Sequence, residues 1–278
     1  MESESFVEGI LTSSLARWSE SLGEIYSVVS MSPDKFRGGA VYSIVTDINS
    51  ALQATGFALL VLFFVAGVMK SCASFAELKR PEAAIRLFVR FALAKAAVTY
   101  GTELLDAIGD IVRGVCESLM EGALSPSALE LPGEISEAVS DCSFLESIPL
   151  WAVSLLGALV IWILSLTLIL TVYGRFFRLY MYTALAPLPL AAFAGEPTAF
   201  IGLSFIKSYA GVCMEGAVII LSCLIFSAFA ATPPKLDAGA GPAVMVWKYL
   251  GETIFNMLIL CGCIRMSDAV TRQMTALG

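Results

Sequence analysis

Three stretches without a charged residue, 48–69, 147–174 and 216–234, constrain this chain more than anything else in it. Each reaches the roughly 18 to 20 apolar residues needed to cross about 30 Å of hydrocarbon. Lipid cannot satisfy exposed backbone N–H and C=O groups, so each stretch reads as a spanning helix. The composition agrees: 58% of the 278 residues are apolar and 15% charged, with a mean hydropathy of +0.81, where soluble domains carry about 25% charge. The fold class that follows is all-α, a polytopic membrane helical bundle.

The same composition narrows the chemistry. The chain has no histidine, which takes away the commonest general base, the histidine-activated Ser and Cys nucleophiles and most zinc sites. No catalytic residue, metal ligand set or cofactor is expected, and the reading is of a non-enzyme. Seven cysteines are scattered with no CxxC; Cys72, Cys213, Cys223, Cys261 and Cys263 lie in or beside apolar segments, where a thiol packs as a small hydrophobe. Cys116 and Cys142 flank one polar loop and can form a disulfide if that loop faces an oxidising space. The first residues, Met1 to Phe6, are acidic and lack the basic start of a cleaved signal peptide, so the first true span is expected to do the targeting.

Residues 1–47 read as an extracytoplasmic amphipathic segment. Phe6, Ile10, Leu15, Trp18, Leu22, Ile25 and Val29 recur at helical spacing with Glu4, Glu8, Glu20 and Glu24 between them, for a helix on the membrane face or against a partner. The first span, 48–69, ends at Lys70. From there to Arg90 five basic residues stand against Glu77 and Glu82, and the positive-inside rule puts this loop in the cytoplasm and the N-terminus outside. A second span, at about 84–105, completes the region 48–112. Lys95, Thr99, Glu103, Asp106 and Asp110 follow one helical face there. A charge in mid-span ordinarily faces a bundle interior or water, with a snorkelling or ion-paired lysine as the alternative. Residues 113–147 carry seven acids against Arg113 and read as an acidic extracytoplasmic loop, whose sign argues against nucleic-acid binding there.

The C-terminal bundle, 148–278, opens with a third span at about 148–173, and the segment after it, 175–197, is unusual. It is apolar, opens with Arg175 and Arg178, carries Pro187 and Pro189, and closes on Gly195, Glu196 and Pro197. Each proline removes an i to i−4 hydrogen bond and crowds the previous turn, at roughly 3 kcal/mol. A break at membrane depth is therefore expected, where broken backbone needs protein or water around it. If the segment dips in and turns back, a fourth span at about 209–231 runs outward, and a fifth at about 244–264 returns Arg265 and Arg272 to the cytoplasm. A full crossing would leave those arginines outside, so charge bias favours the first layout: about five transmembrane helices plus one Pro-interrupted re-entrant or interfacial segment, N-terminus out and C-terminus in. Lys207, Gly211 and Glu215 share a face of the fourth span, and Glu252 and Asn256 one of the last. Lys95 and Glu215, of opposite sign at comparable depth, are possible partners; otherwise each meets another subunit or a lined cavity.

The run Arg-Phe-Phe-Arg-Leu-Tyr-Met-Tyr-Thr-Ala from Arg175, leading into Ala-Pro-Leu-Pro-Leu-Ala-Ala-Phe-Ala-Gly-Glu and then the helix over 200–229, resembles the TrbL-type polytopic inner-membrane proteins of conjugative type IV secretion systems, in their Gram-positive conjugative-element branch. The likeness covers about 145–235, and the rest shares the layout. It implies a multi-pass protein of the bacterial cytoplasmic membrane, a structural channel or platform subunit. Such a subunit assembles as a homo-oligomeric ring, with five-fold order the expectation, contacts the machine's ATPases and other secretion subunits, and lets single-stranded DNA with its relaxase pass. On that reading Lys95, Thr99, Glu103, Glu215, Glu252 and Asn256 are candidate channel-lining or intramembrane polar residues. The element from Arg175 to Pro197 would shape the cytoplasmic mouth, with Arg175 and Arg178 meeting phosphates, lipid head groups or an ATPase.

Two other readings compete. A small-molecule or ion transporter would share the broken-helix signature, but transporters commonly show two similar halves, and the first half here has no Pro-x-Pro interruption. A membrane enzyme using Glu103, Asp106 and Asp110 as acids finds no ligand cluster elsewhere in the chain.

Overall fold

The computed structural model describes residues 2–72, 81–121, 131–140, 144–230 and 241–275. These residues form α1 (Glu2–Val29), α2 (Ala40–Cys72), α3 (Pro81–Thr99), α4 (Gly101–Glu121), α5 (Gly133–Ser140), α6 (Phe144–Leu185), α7 (Pro187–Ala191), α8 (Ala199–Ala230) and α9 (Pro242–Met274), with short 3-10 turns at Phe36–Gly39 and Ala192–Ala194. No strand occurs among them. Four helical stretches among the described residues are long and apolar enough to cross a membrane: Phe36–Lys70, Ile148–Leu185, Ala199–Phe229 and Val244–Met274. Of the loops expected at 70–90, 113–147 and 232–242, residues 73–80, 122–130, 141–143 and 232–240, with Lys79, Arg80 and Cys142, lie outside the described residues, while 81–90 belong to α3, 113–121 to α4 and 133–140 to α5.

Two departures from the expected layout have identifiable causes. The second span, placed at 84–105, is two helices meeting at Tyr100, and it is not among the four long apolar stretches. Its first part, α3, carries Glu82, Arg86, Arg90 and Lys95 within 19 residues. The third span does not stop at Tyr173 but continues to Leu185. Gly174 is the one weak helix former in its way, at about 1 kcal/mol relative to alanine, and that is too little to end a helix this long. Arg175 and Arg178 therefore belong to α6 and do not open a segment of their own.

The chain divides into two units that interleave along the sequence: Met1–Ser30, Ser118–Tyr173 and Val218–Ser267 form one, and Met31–Glu117, Gly174–Ala217 and Asp268–Gly278 the other. In the first, α1 buries Val7, Leu11, Leu15, Trp18, Leu22 and Ile25 at spacings of three and four. The stripe begins one residue off the expected one, and Phe6 is exposed. This helix finds its partners inside its own unit. It packs on α5, where the Ser136 hydroxyl donates to Glu8 Oε1 at 2.5 Å, and Tyr173 donates its hydroxyl to Glu24 Oε1 at 2.8 Å. Gly157 on α6 lets Leu250 of α9 close in, since a Cβ there would stand 2.8 Å from Leu250 Cδ1.

In the second unit, Gly38 and Gly39 at φ 73° and 77° turn the chain into α2, a backbone region that glycine enters without a Cβ clash. Phe36 stacks on Phe176 with ring centroids 4.2 Å apart, and Tyr180 donates its hydroxyl to Pro33 O at 2.9 Å. The end of α6 and the start of α8 run antiparallel here. Tyr182 meets Phe205 and Tyr209, while Arg178 further back meets Glu215. The chain thus reverses over residues 186–198, at the expected prolines.

Candidate functional site

The reversal is made by replacing what the prolines take away. Pro187 has no N–H to offer Thr183 O, its i−4 acceptor, and the Asn49 side chain supplies one: Nδ2 donates to Thr183 O at 2.6 Å, with Asn49 only 2% exposed. Pro187 then opens α7, a first helical position where a missing N–H costs nothing. At the far end Thr198 Oγ1 donates to Ala192 O at 2.8 Å and closes the turn.

This tip lies on α2 and α3, backbone against backbone. A Cβ on Gly56 would stand 2.9 Å from Pro187 O, one on Gly67 3.1 Å from Gly195 Cα, and one on Gly195 2.6 Å from Phe63 O. At Gly56 and Gly195 a side chain would force the backbone apart and at Gly67 it would be tight, so the seam is a glycine seam. The socket that the tip fills is made by its own chain. At the rim Arg90 faces Glu196 at 3.5 Å, both partly exposed.

Behind the tip stands a cluster of charges. Arg175, buried, donates Nε to Val212 O and a terminal nitrogen to Cys213 O, both at 3.1 Å. Gly216 makes the room, because a Cβ there would come within 2.8 Å of the guanidinium carbon. Arg178 grips Glu215 with two nitrogens at 2.9 and 2.5 Å and reaches Asp268 Oδ1 at 2.9 Å. Arg272 Nε adds a bond to Asp268 at 3.1 Å. The four groups alternate in sign, and the Arg178 guanidinium offsets part of the cost of taking the Glu215 carboxyl, with its side chain 2% exposed, out of water. They line a cavity of about 140 Å³ together with Tyr182, Ser208 and Thr271.

The arrangement corrects one expectation. Glu215 pairs with Arg178 and Asp268 shares that arginine, so Lys95 is not the partner of Glu215. Within the chain Arg175 is turned to α8 carbonyls and Arg178 to carboxylates. The other candidates do not converge. Lys95 is exposed, Thr99 donates its hydroxyl back to Lys95 O at 2.9 Å, and Glu103 is exposed and accepts from Thr102. Asp106, next on that face, accepts from the Tyr42 hydroxyl at 2.6 Å. Burial holds its carboxyl above the usual carboxylate range, against the pull of that hydrogen bond. Glu252 is exposed and Asn256 half-buried on the part of α9 in the other unit. Cys116 is buried on α4, and its expected partner Cys142 lies outside the described residues.

Two residues that matter here went unnoticed in the sequence. Asn49 had a signal, an amide at the start of a charge-free run, where a polar group seeks a partner on another helix. Asp268 had a weaker one, its i, i+4 spacing to Arg272, which tells nothing of Arg178.

A protein-family model described as TrbL/VirB6 plasmid conjugal transfer like protein matches residues 19–187, from within α1 to the proline that opens α7. No curated protein and no solved structure matches the chain.

Proposed function

The chain belongs to the TrbL/VirB6 family of plasmid conjugal transfer proteins, inner-membrane components of type IV secretion, and from that premise we propose that it is the channel or platform subunit through which single-stranded DNA with its relaxase crosses the cytoplasmic membrane. The observation that carries the reading is the family match over residues 19–187, joined to four helices long and apolar enough to span. The geometry adds support of a structural kind. Within the 174–217 region Arg175 is tied to carbonyls and Arg178 to Glu215, and the proline break is sealed by Asn49 and glycine contacts, as suits a scaffold.

In this proposal copies of the chain form a ring, with five-fold order the expectation from the likeness, against secretion ATPases and other subunits. The basic connection after α2 faces the cytoplasm. The exposed face of Lys95, Thr99 and Glu103 borders the path. A photo-crosslinking amino acid placed at each of these three positions in turn, in cells transferring a plasmid, tests it. Recovery of transferring DNA or relaxase on the protein is the expected result. Normal transfer with no substrate crosslink at any of the three would remove them from the path, and silence along the whole of α3 and α4 would reduce the protein to a platform.

A further inference from the structure

We propose that the cleft between α3 and the turn joining α7 to α8 binds an anionic phospholipid of the leaflet on the Lys70 side of α2. The inference rests on the reading that the charge-free run of α2 lies in the membrane with its Lys70 end at the cytoplasmic surface.

The cleft encloses about 490 Å³, with Arg86, Arg90, Leu93, Ala97 and Phe193 among its lining, a size usual for ligand sites. Its depth scale comes from α2. The two helices run antiparallel, with the Phe64 and Phe91 rings 4.9 Å apart and Gln53 opposite Thr99. In that register Arg86 stands beside the end of the charge-free run of α2, Arg90 one turn deeper, and Leu93 and Ala97 beside its middle. Arg86 to Ala97 spans about 16 Å at the helical rise. The cleft is thus basic where head groups lie and apolar where acyl chains lie.

The charges leave the basic end open to a ligand. Arg86 has no ion pair among the described residues, and Arg90 has only the 3.5 Å contact with Glu196, whose side chain is 70% exposed. A phosphodiester offers two guanidinium forks the planar oxygens they match. A phosphatidylglycerol head keeps its net negative charge there, whereas a phosphatidylcholine head brings a cation that the arginines repel. Glu196 sits at the rim and competes with the phosphate for Arg90. Leu93, Ala97 and Phe193 then receive one acyl chain.

Native mass spectrometry of the full chain in mild detergent, titrated with dioleoylphosphatidylglycerol or dioleoylphosphatidylcholine, tests this. The expected result is one retained phosphatidylglycerol in preference to phosphatidylcholine. Replacing both arginines (R86Q with R90Q) is expected to weaken phosphatidylglycerol retention roughly thirty-fold and to leave phosphatidylcholine unchanged. Ala97→Trp, which fills the apolar part with both arginines in place, is expected to weaken it as well. Glu196→Gln is expected to strengthen it, a gain that a misfolded chain does not produce. Unchanged phosphatidylglycerol retention in the double variant overturns the proposal. So does displacement of the lipid by equimolar inorganic phosphate, which would make this a site for the anion alone. The titration does not depend on DNA passage, so its outcome and that of the crosslinking are independent.

Discussion

The two lengths of α6 are held in place by different physics. Residues 148–173, in the first unit, carry no charge and bury side chains such as Ile161 and Leu168; residues 174–185, in the second, bring one arginine to carbonyls and another to two carboxylates. The same change occurs along α8, where Glu215 lies in the second unit and the residues from Val218 to Ala230 have no charge. The contrast teaches where sensitivity lies. Apolar packing spreads stability over many small contacts, whereas a buried polar network concentrates it in a few groups that must all be satisfied.

The largest effect is expected from Glu215→Ala. Removing one partner of a buried pair costs about 3 to 5 kcal/mol; the loss here should fall near 3, because Arg178 is 31% exposed and keeps Asp268. Thermal unfolding in detergent reads it, and an unchanged midpoint would break the contrast. Next comes Gly195→Ala, at about 2 kcal/mol, since the new methyl meets the carbonyl of Phe63, which cannot move alone. Its counterpart in the first unit, Gly157→Ala, meets only the end of the Leu250 side chain, and is expected to cost less than about 1 kcal/mol. Equal losses for these two would show that both units are equally rigid.

Asn49→Leu is expected to cost about 1 kcal/mol, the scale of one interhelical hydrogen bond in a membrane. Ala186 N, at 3.4 Å, still serves Thr183 O in part. Faster amide exchange at 186–198 than elsewhere in the second unit is the measurement. The smallest effect is in pH. The Asp106 carboxyl titrates higher in the folded chain than its unfolded value of about 3.9, so the folded state holds the extra proton between the two values. Stability is expected to fall as pH rises through that window and to level off above it. Asp106→Asn should flatten the slope while keeping an acceptor for Tyr42, and a slope that survives the substitution would assign it to another group.

Much of this was legible in the sequence. Charge-free runs identified three of the four long apolar helices, and Pro187 and Pro189 located the reversal, because both are local properties of the chain. The boundary at Tyr173 was misread because two arginines look like the end of a span when their partners are unknown. Those partners, Glu215 and Asp268, are far away along the chain, and nothing in the spacing of either reports the other. Asn49 illustrates the same limit: its amide is visible, but the carbonyl it serves is orphaned by a proline well over a hundred residues later.

The outward side of α6 carries one more consequence. Large apolar side chains stand bare in both of its parts, Leu156, Trp162 and Leu170 in one and Phe177, Met181 and Leu185 in the other. Water disfavours such groups and oil accepts them, so the wetting of this helix changes with its solvent, and a detergent chosen for the chain has to coat that side before anything else.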